Sequence, residues 1–465
     1  MSRSWRNHCP GDLSIQLPEL HADEVEPALA AASAAADAWA RLPLAGRADA
    51  LRRARGAIEA IQADLARAIA LETGKPLGEC QGELAAVLAK FELTLADAQR
   101  YLSEEVPADA PHPSVIRRRP RGPAVVIGPF NFPIHLPHGQ IVAYLAAGNP
   151  VIFKPSPAAG NVCAKYAQAM CANLPPGVFS LVQGGAEEAQ ALVTDRRVRA
   201  VGFTGSVSAG KAIAAATAGD LGKDLALELG GKCAAIVCAD ADLDQTARMC
   251  AEAACLTAGQ RCNATSRIIV DRSVLSAFLE RFLPAIHNFA PGDPLDPATR
   301  LGPLINEAAH ERYRRLIELP EGQWLKRGHV PAVVAGKVGY YVEPAVLLLE
   351  NPEDAARSTL ARSEIFAPIV VVIPSDSDPQ TVQLHNDTPF GLTASVFTRS
   401  RDRFNQLADR LWAGNIYGNL PTTASPSQLP FGGWGDSGNG HPGGRGFVRF
   451  TAQEQVIQVA GGSMA

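Results

Sequence analysis

No apolar run in the 465-residue chain approaches membrane-spanning length, which excludes a protein built on transmembrane helices. The stretch MSRSWRNHCPGDL at the amino terminus lacks the apolar core of a secretory signal, so a cytoplasmic setting is expected. Net charge is only −4, with neither a polybasic tail nor a basic face, and this argues against nucleic-acid and membrane-surface partners. The one dense basic run, Arg117-Arg118-Arg119-Pro120-Arg121, precedes an apolar segment and reads as a solvated strand edge. Nine cysteines, an odd number without a CxxC pair, exclude a disulfide framework. Internal repeats and low-complexity linkers are also missing. One last absence decides a motif. Gly205, Gly210 and Lys211 have the register of a phosphate-binding P-loop, but Ala212 stands where a Mg²⁺-binding hydroxyl belongs, and no acidic strand end follows at the right spacing.

What is present is ordinary globular material: 47% hydrophobic residues in a chain long enough for two or three domains with full cores. The first hundred residues carry apolar positions at helical spacing, with Gly74 as a stop. From Val125 the runs AVVIG, PVIFK, FSLVQG, AVGFTG and LALELG alternate with helical stretches. That alternation predicts right-handed crossovers and a doubly wound parallel sheet, whose ligands lie beyond the carboxyl ends of the strands. Lys154, Gln183, Thr204–Ser206 and Glu228 fall at those ends. A second α/β set begins near Cys233 with SRIIV, IVVVI and ASVFT as strands. The tail from Phe447 to Val459 alternates like a strand without an evident partner in its own domain.

Three segments carry reactive chemistry. In TAGQRCNA, Cys262 follows a glycine break and Arg261; a cationic, partly open setting lowers a thiol pKa, although a cysteine beside a glycine turn is more often structural. In LALELGGKC, Glu228 ends an apolar strand before Gly230 and Gly231; burial there suits a general base, and an ion-paired or capping role fits equally. In GPFNFPIHLP, Asn131 sits on a rigid turn as an oxyanion donor or as a loop-shaping Asx residue.

Together with VIFKPS, FTGSVSAG, EIFAP and PFGGWGDSG, and in this order, the segments resemble the aldehyde dehydrogenase superfamily from about Leu29 to Val459. The resemblance implies a doubly wound dinucleotide-binding domain (1–100 and 120–229), a second α/β catalytic domain (230–430) and a small β oligomerisation element (101–119 and 446–465) in a homodimer or homotetramer. It further implies that Cys262 attacks an aldehyde, that Asn131 and the Cys262 backbone N–H hold the oxyanion, and that Glu228 activates the hydrolytic water. Lys154, Ser156, Phe203, Gly205, Ser206, Leu229, Glu364 and Phe366 are the implied cofactor contacts, with Lys154 on the adenosine ribose, Ser206 at the pyrophosphate, Glu364 on the nicotinamide ribose and no metal. Lys211 then points along a helix, and its P-loop register is coincidental.

Pro157 replaces the glutamate with which many NAD-using members grip the adenosine ribose, so NAD is expected and NADP is not excluded. Cys233 replaces the usual asparagine after LELGGK. Local motifs are similar to succinylglutamic semialdehyde dehydrogenases of arginine catabolism, which implies a carboxylated semialdehyde. His135, His138, Arg261 and Arg445 are the candidates for its pocket. A general-substrate or CoA-acylating enzyme and a catalytically silent homologue are the rival readings. Acylating members as a rule lack the water-activating carboxylate, and Glu228 is present; the retained catalytic set argues against silence.

Overall fold

The computed structural model describes residues 3–460. The short β-rich runs form two mainly parallel sheets, and strands such as Ala124–Ile127, Val151–Lys154 and Ala234–Val237 are buried at every position. Burial on both faces is why these runs are continuously apolar rather than alternating.

The first sheet has the order Gly438–Asn439, Asp224–Glu228, Ala200–Thr204, Ala124–Ile127, Val151–Lys154, Phe179–Leu181. From Ala124–Ile127 the chain steps outward to Phe179–Leu181, then returns to the opposite side at Ala200–Thr204. The reversal opens a crevice between Ala124–Ile127 and Ala200–Thr204, where doubly wound sheets take their ligands. All pairings are parallel except that of Gly438–Asn439 with the end of Asp224–Glu228. At Gly438, φ is +131° and an added Cβ would lie 2.0 Å from the Leu227 carbonyl oxygen, so glycine permits the approach.

Helix Leu77–Tyr101 buries Leu84, Val87, Leu88, Phe91 and Leu95 at helical spacing and packs against helix His135–Ala147. Gly74 ends helix Gln62–Thr73 in the left-handed conformation, as expected. The second sheet runs Gln323–Lys326, Ala345–Leu348, Ile369–Ser375, Arg267–Asp271, Ala234–Val237, Thr393–Phe397, Asn415–Gly418, with only the first pair antiparallel.

Three expectations change. The first hundred residues are not all helical: Ser4–Trp5, His8–Cys9, Asp12–Gln16 and Leu20–His21 are short strands, and helix starts at Val25. Pro10 and Pro18 break that stretch, and its backbone finds partners far along the chain, Leu13 N–H donating to Val338 O at 2.8 Å. The tail strand Ala452–Gln458 does have a partner in its own chain, the antiparallel strand Ser114–Pro120. Residues 461–465 of the expected 446–465 element lie outside the described residues. Finally, the arginine run is not uniformly solvated. Arg117 and Arg118 make surface ion pairs, but Arg121 pairs with Asp224 and donates through Nε to Phe450 O at 2.8 Å, tying the first sheet to the tail.

Candidate active site

A cleft of about 420 Å³ occupies the switch point of the first sheet and reaches the second half of the chain. Lys154, Ser156, Phe203, Gly205, Ser206, Glu228, Leu229, Asn131, Cys262, Glu364 and Phe366 all line it. Gln183 does not; its amide is spent on Gly160 O at 2.8 Å.

Cys262 is partly exposed and sits at the end of a strained turn. Thr257, Ala258 and Gly259 are all left-handed, with φ of 53°, 54° and 70°. Two successive non-glycine residues in that region are costly and persist only where the surroundings fix them. Glu79, in the first turn of helix Leu77–Tyr101, does the fixing. It accepts from Thr257 N–H at 2.9 Å, Thr257 Oγ1 at 2.7 Å and Arg261 Nη2 at 2.6 Å. Arg261 therefore spends its charge on Glu79. Burial pushes the Cys262 thiol well above its ordinary pKa, with Glu228, Cys233 and Glu364 adding to the effect and Arg261 opposing it least. The expectation that a neighbouring cation activates the resting thiol is corrected on this point. Behind the loop, Cys233 Sγ–H donates to Cys262 O at 3.4 Å, the consequence of cysteine at that position.

Asn131 is buried, and its Nδ2 donates one hydrogen to Gln260 O at 2.8 Å, which leaves the other N–H free. The amide is thus held by the same loop that carries the thiol. Glu228 is buried with neither carboxylate oxygen hydrogen-bonded among the described residues, and burial raises its carboxyl well above the usual range. The ion-paired and capping alternatives for Glu228 find no partner here.

Lys154 donates to Pro155 O at 3.0 Å and is brought down by burial to about 8. Glu364 accepts from Gly231 N–H at 3.1 Å, and a Cβ on Gly230 would strike its carboxylate at 2.4 Å. Phe366, at φ 56°, packs edge-on against Phe130. A Cβ on Gly205 would fall 2.5 Å from the Phe203 ring, so glycine keeps this strand end open. The Ser206 hydroxyl caps helix Val207–Thr217 by accepting from Ala209 N–H, and Ser156 caps the next short turn by accepting from Ala158 N–H. Lys211 lies exposed on that helix, 2.7 Å from Asp436, away from any P-loop geometry.

Beyond Cys262 lies a second cavity of about 180 Å³, so this residue borders both spaces. His135 and Arg261 line it. His138 does not: it is fully buried, bonded through Nδ1 to Tyr166 Oη at 2.9 Å, and is a core histidine. Arg445 does not either, being held by Asp97 at 3.1 Å. Sequence reasoning missed Glu79, Gln260, Lys90 and Arg312. Arg312 lines the first cleft and donates to Glu364 O. Lys90 lines the second cavity from an apolar helix face. Each looks like an ordinary helix or loop residue until the tertiary structure brings it in.

A family model described as "Aldehyde dehydrogenase family" matches residues 3–457. The chain is 37% identical over 435 residues to N-succinylglutamate 5-semialdehyde dehydrogenase of Klebsiella pneumoniae, covering 91% of this chain and 85% of that one. It is 35% identical to the Escherichia coli enzyme of the same description, over 95% and 89% of the two chains. Among solved structures, gamma-glutamyl-gamma-aminobutyraldehyde dehydrogenase from Burkholderia cenocepacia superposes with a TM-score of 0.92 at 31% identity, covering 98% of this chain and 94% of the other. An NAD-dependent aldehyde dehydrogenase from Sinorhizobium meliloti gives a TM-score of 0.92 at 29% identity, over 100% and 92%. With the motifs, the two sheets and the cleft in agreement, the chain belongs to the aldehyde dehydrogenase family.

Proposed function

We propose that the protein oxidises a carboxylated semialdehyde to the acid with NAD, through a thiohemiacetal and a thioester on Cys262. The observation that carries this reading is the position of Cys262 between two cavities, with an unpaired buried carboxylate, Glu228, on the larger one. The larger cleft fits a dinucleotide: glycines at 205 and 230 leave space that a Cβ would fill, a helix N-terminus opens onto it, and Lys154 and Glu364 offer a donor and an acceptor. A bound nicotinamide dinucleotide supplies the hydride acceptor.

The partly exposed thiol of Cys262 releases its proton to solvent, and the thiolate sulfur bonds to the aldehyde carbon. The carbonyl oxygen becomes an oxyanion, held by the free N–H of Asn131 and the Cys262 backbone N–H. Departure of the hydride from that carbon restores the C=O bond as a thioester. Glu228 then takes a proton from water as the hydroxide oxygen bonds to the acyl carbon, and the C–S bond breaks to regenerate the thiolate. Burial favours the neutral carboxyl of Glu228, so turnover limited by hydrolysis is expected to rise with pH as this carboxyl ionises above the usual carboxylate range. The carboxylated substrate rests on the similarity to N-succinylglutamate 5-semialdehyde dehydrogenases.

The test is pre-steady-state NAD(P)H absorbance with aldehydes, with and without CoA. Glu228→Gln is expected to give a burst of about one NADH per site followed by a slow steady rate, since acylation survives and hydrolysis does not. Equal loss of both phases would remove Glu228 as the hydrolytic base, and turnover that requires CoA would favour an acylating enzyme.

A further inference from the structure

The smaller cavity is lined by two cations and by no aspartate or glutamate. One cation, Arg261, is already neutralised by Glu79 at 2.6 Å. The other, Lys90, is 5% exposed and makes no ion pair or hydrogen bond among the described residues. The carboxylates about two helical turns away on its own helix, Asp97 and Glu83, are committed elsewhere. Asp97 accepts from Arg445 at 3.1 Å and from Gly446 N–H at 2.8 Å. Glu83 is paired with Lys75 at 2.6 Å and accepts from the backbone of Ile134 and His135.

The facing helix is shaped around this lysine. At Gly139 a Cβ would lie 3.1 Å from Lys90 Cε and 3.7 Å from Nζ, so glycine there gives the ammonium room against the cavity wall. One turn earlier, His135 presents a buried Nδ1 with no partner among the described residues. Burial holds that imidazole near a pKa of about 4, so it is neutral and able to donate one hydrogen bond. A desolvated ammonium on a cavity without carboxylates is a costly arrangement unless an anion completes it.

We propose that Lys90 forms the subsite that binds the carboxylate of the aldehyde substrate while its carbonyl lies at Cys262. This rests on the reading of the protein as an aldehyde dehydrogenase acting through Cys262 and adds the residue that selects charged over neutral aldehydes. Lys90 is a binding and specificity group, not a participant in bond making.

The test compares 4-oxobutanoate with its methyl ester, an aldehyde of similar length without the charge, using the full chain with NAD. The wild-type enzyme is expected to favour the acid over the ester by at least about tenfold in kcat/KM, and Lys90→Met to reduce that ratio by about ten- to a hundredfold, chiefly through KM. Lys90→Arg, which keeps the charge, should hold the ratio within about threefold of wild type. Glutarate, which has no aldehyde, should inhibit ester oxidation by the wild-type enzyme competitively. This measurement stands even if the methionine variant does not fold. A wild-type ratio near one, no competition by glutarate, or an unchanged ratio in a folded Lys90→Met variant overturns the subsite. An enzyme that oxidises neither compound nor any other aldehyde instead removes the reading on which the subsite rests.

Discussion

At the scale of single residues, burial dominates the site: it favours the neutral form of both the Cys262 thiol and the Glu228 carboxyl. Replacement of Cys262 by serine is expected to cut aldehyde oxidation by at least about a thousandfold while leaving nucleotide binding intact, because a hydroxyl has no comparable route to an anion. Stopped-flow NADH absorbance and nucleotide titration check the two halves of that statement. Thiol labelling is a poorer guide than the bare sequence suggests, since Cys171 is the exposed cysteine and Cys262 only partly so. Pro157 begins a short turn after Ser156, its carbonyl accepting from Asn7 Nδ2 at 2.7 Å. Introducing Pro157→Glu leaves that backbone acceptor in place and adds a charge. It should lower kcat/KM with NADP by about tenfold or more and leave NAD equal or better. An unchanged NADP-to-NAD ratio would show that residue 157 does not face the ribose.

At the scale of elements, the unit of interest is the turn Thr257–Cys262 clamped by helix Leu77–Tyr101. Glu79→Ala removes three acceptor contacts from a left-handed turn and leaves Arg261 as a largely buried charge without its partner. The expected result is a loss of about 3 kcal/mol in urea unfolding and a ten- to hundredfold fall in kcat, since small misplacement of a nucleophile is expensive. Full activity with normal stability would mean the turn holds itself. The parallel strands were legible in sequence because their apolar runs end in glycine or polar residues, and this also located Lys154, Thr204 and Glu228 at strand ends. Glu79 and Lys90 were not legible. On their helix they read as an ordinary first-turn acid and a solvated lysine, and only the packing of that helix against the nucleophile turn and helix His135–Ala147 gives them partners or a cavity. His138 failed in the opposite direction, looking available in sequence while being enclosed by Phe91 and Tyr166.

At the scale of the whole molecule, the candidate site lies between the two sheets, with Glu228 from the first and Cys262 from the second half of the chain. We read residues 1–100 and 120–229 as the dinucleotide-binding unit, 230–430 as the catalytic unit, and 101–119 with 446–465 as an oligomerisation element. The ribbon Ser114–Pro120 with Ala452–Gln458 is two strands wide and leaves Val456 65% exposed. Such a ribbon is marginal alone and offers free edges, so a homodimer or homotetramer is expected by light scattering at micromolar concentration. A monomer under those conditions would contradict the assignment. None of the described helices is long and apolar enough to cross a membrane.

The strand that carries Glu228 is flanked on its outer side by residues some two hundred positions later in the chain. Leu227 N–H donates to Asn439 Oδ1 at 2.9 Å, and Leu229 N–H to Ser437 O at 3.0 Å. A chain emerging from the ribosome can assemble the parallel core of this sheet early, but its last strand waits through some two hundred further residues for the segment that closes it. During that interval the strand that carries Glu228 is an open edge, available to any other extended chain. We infer that the candidate site is completed only once the Ser437–Asn439 segment has been made, and fragments stopped before Ser437 are expected to lack aldehyde turnover.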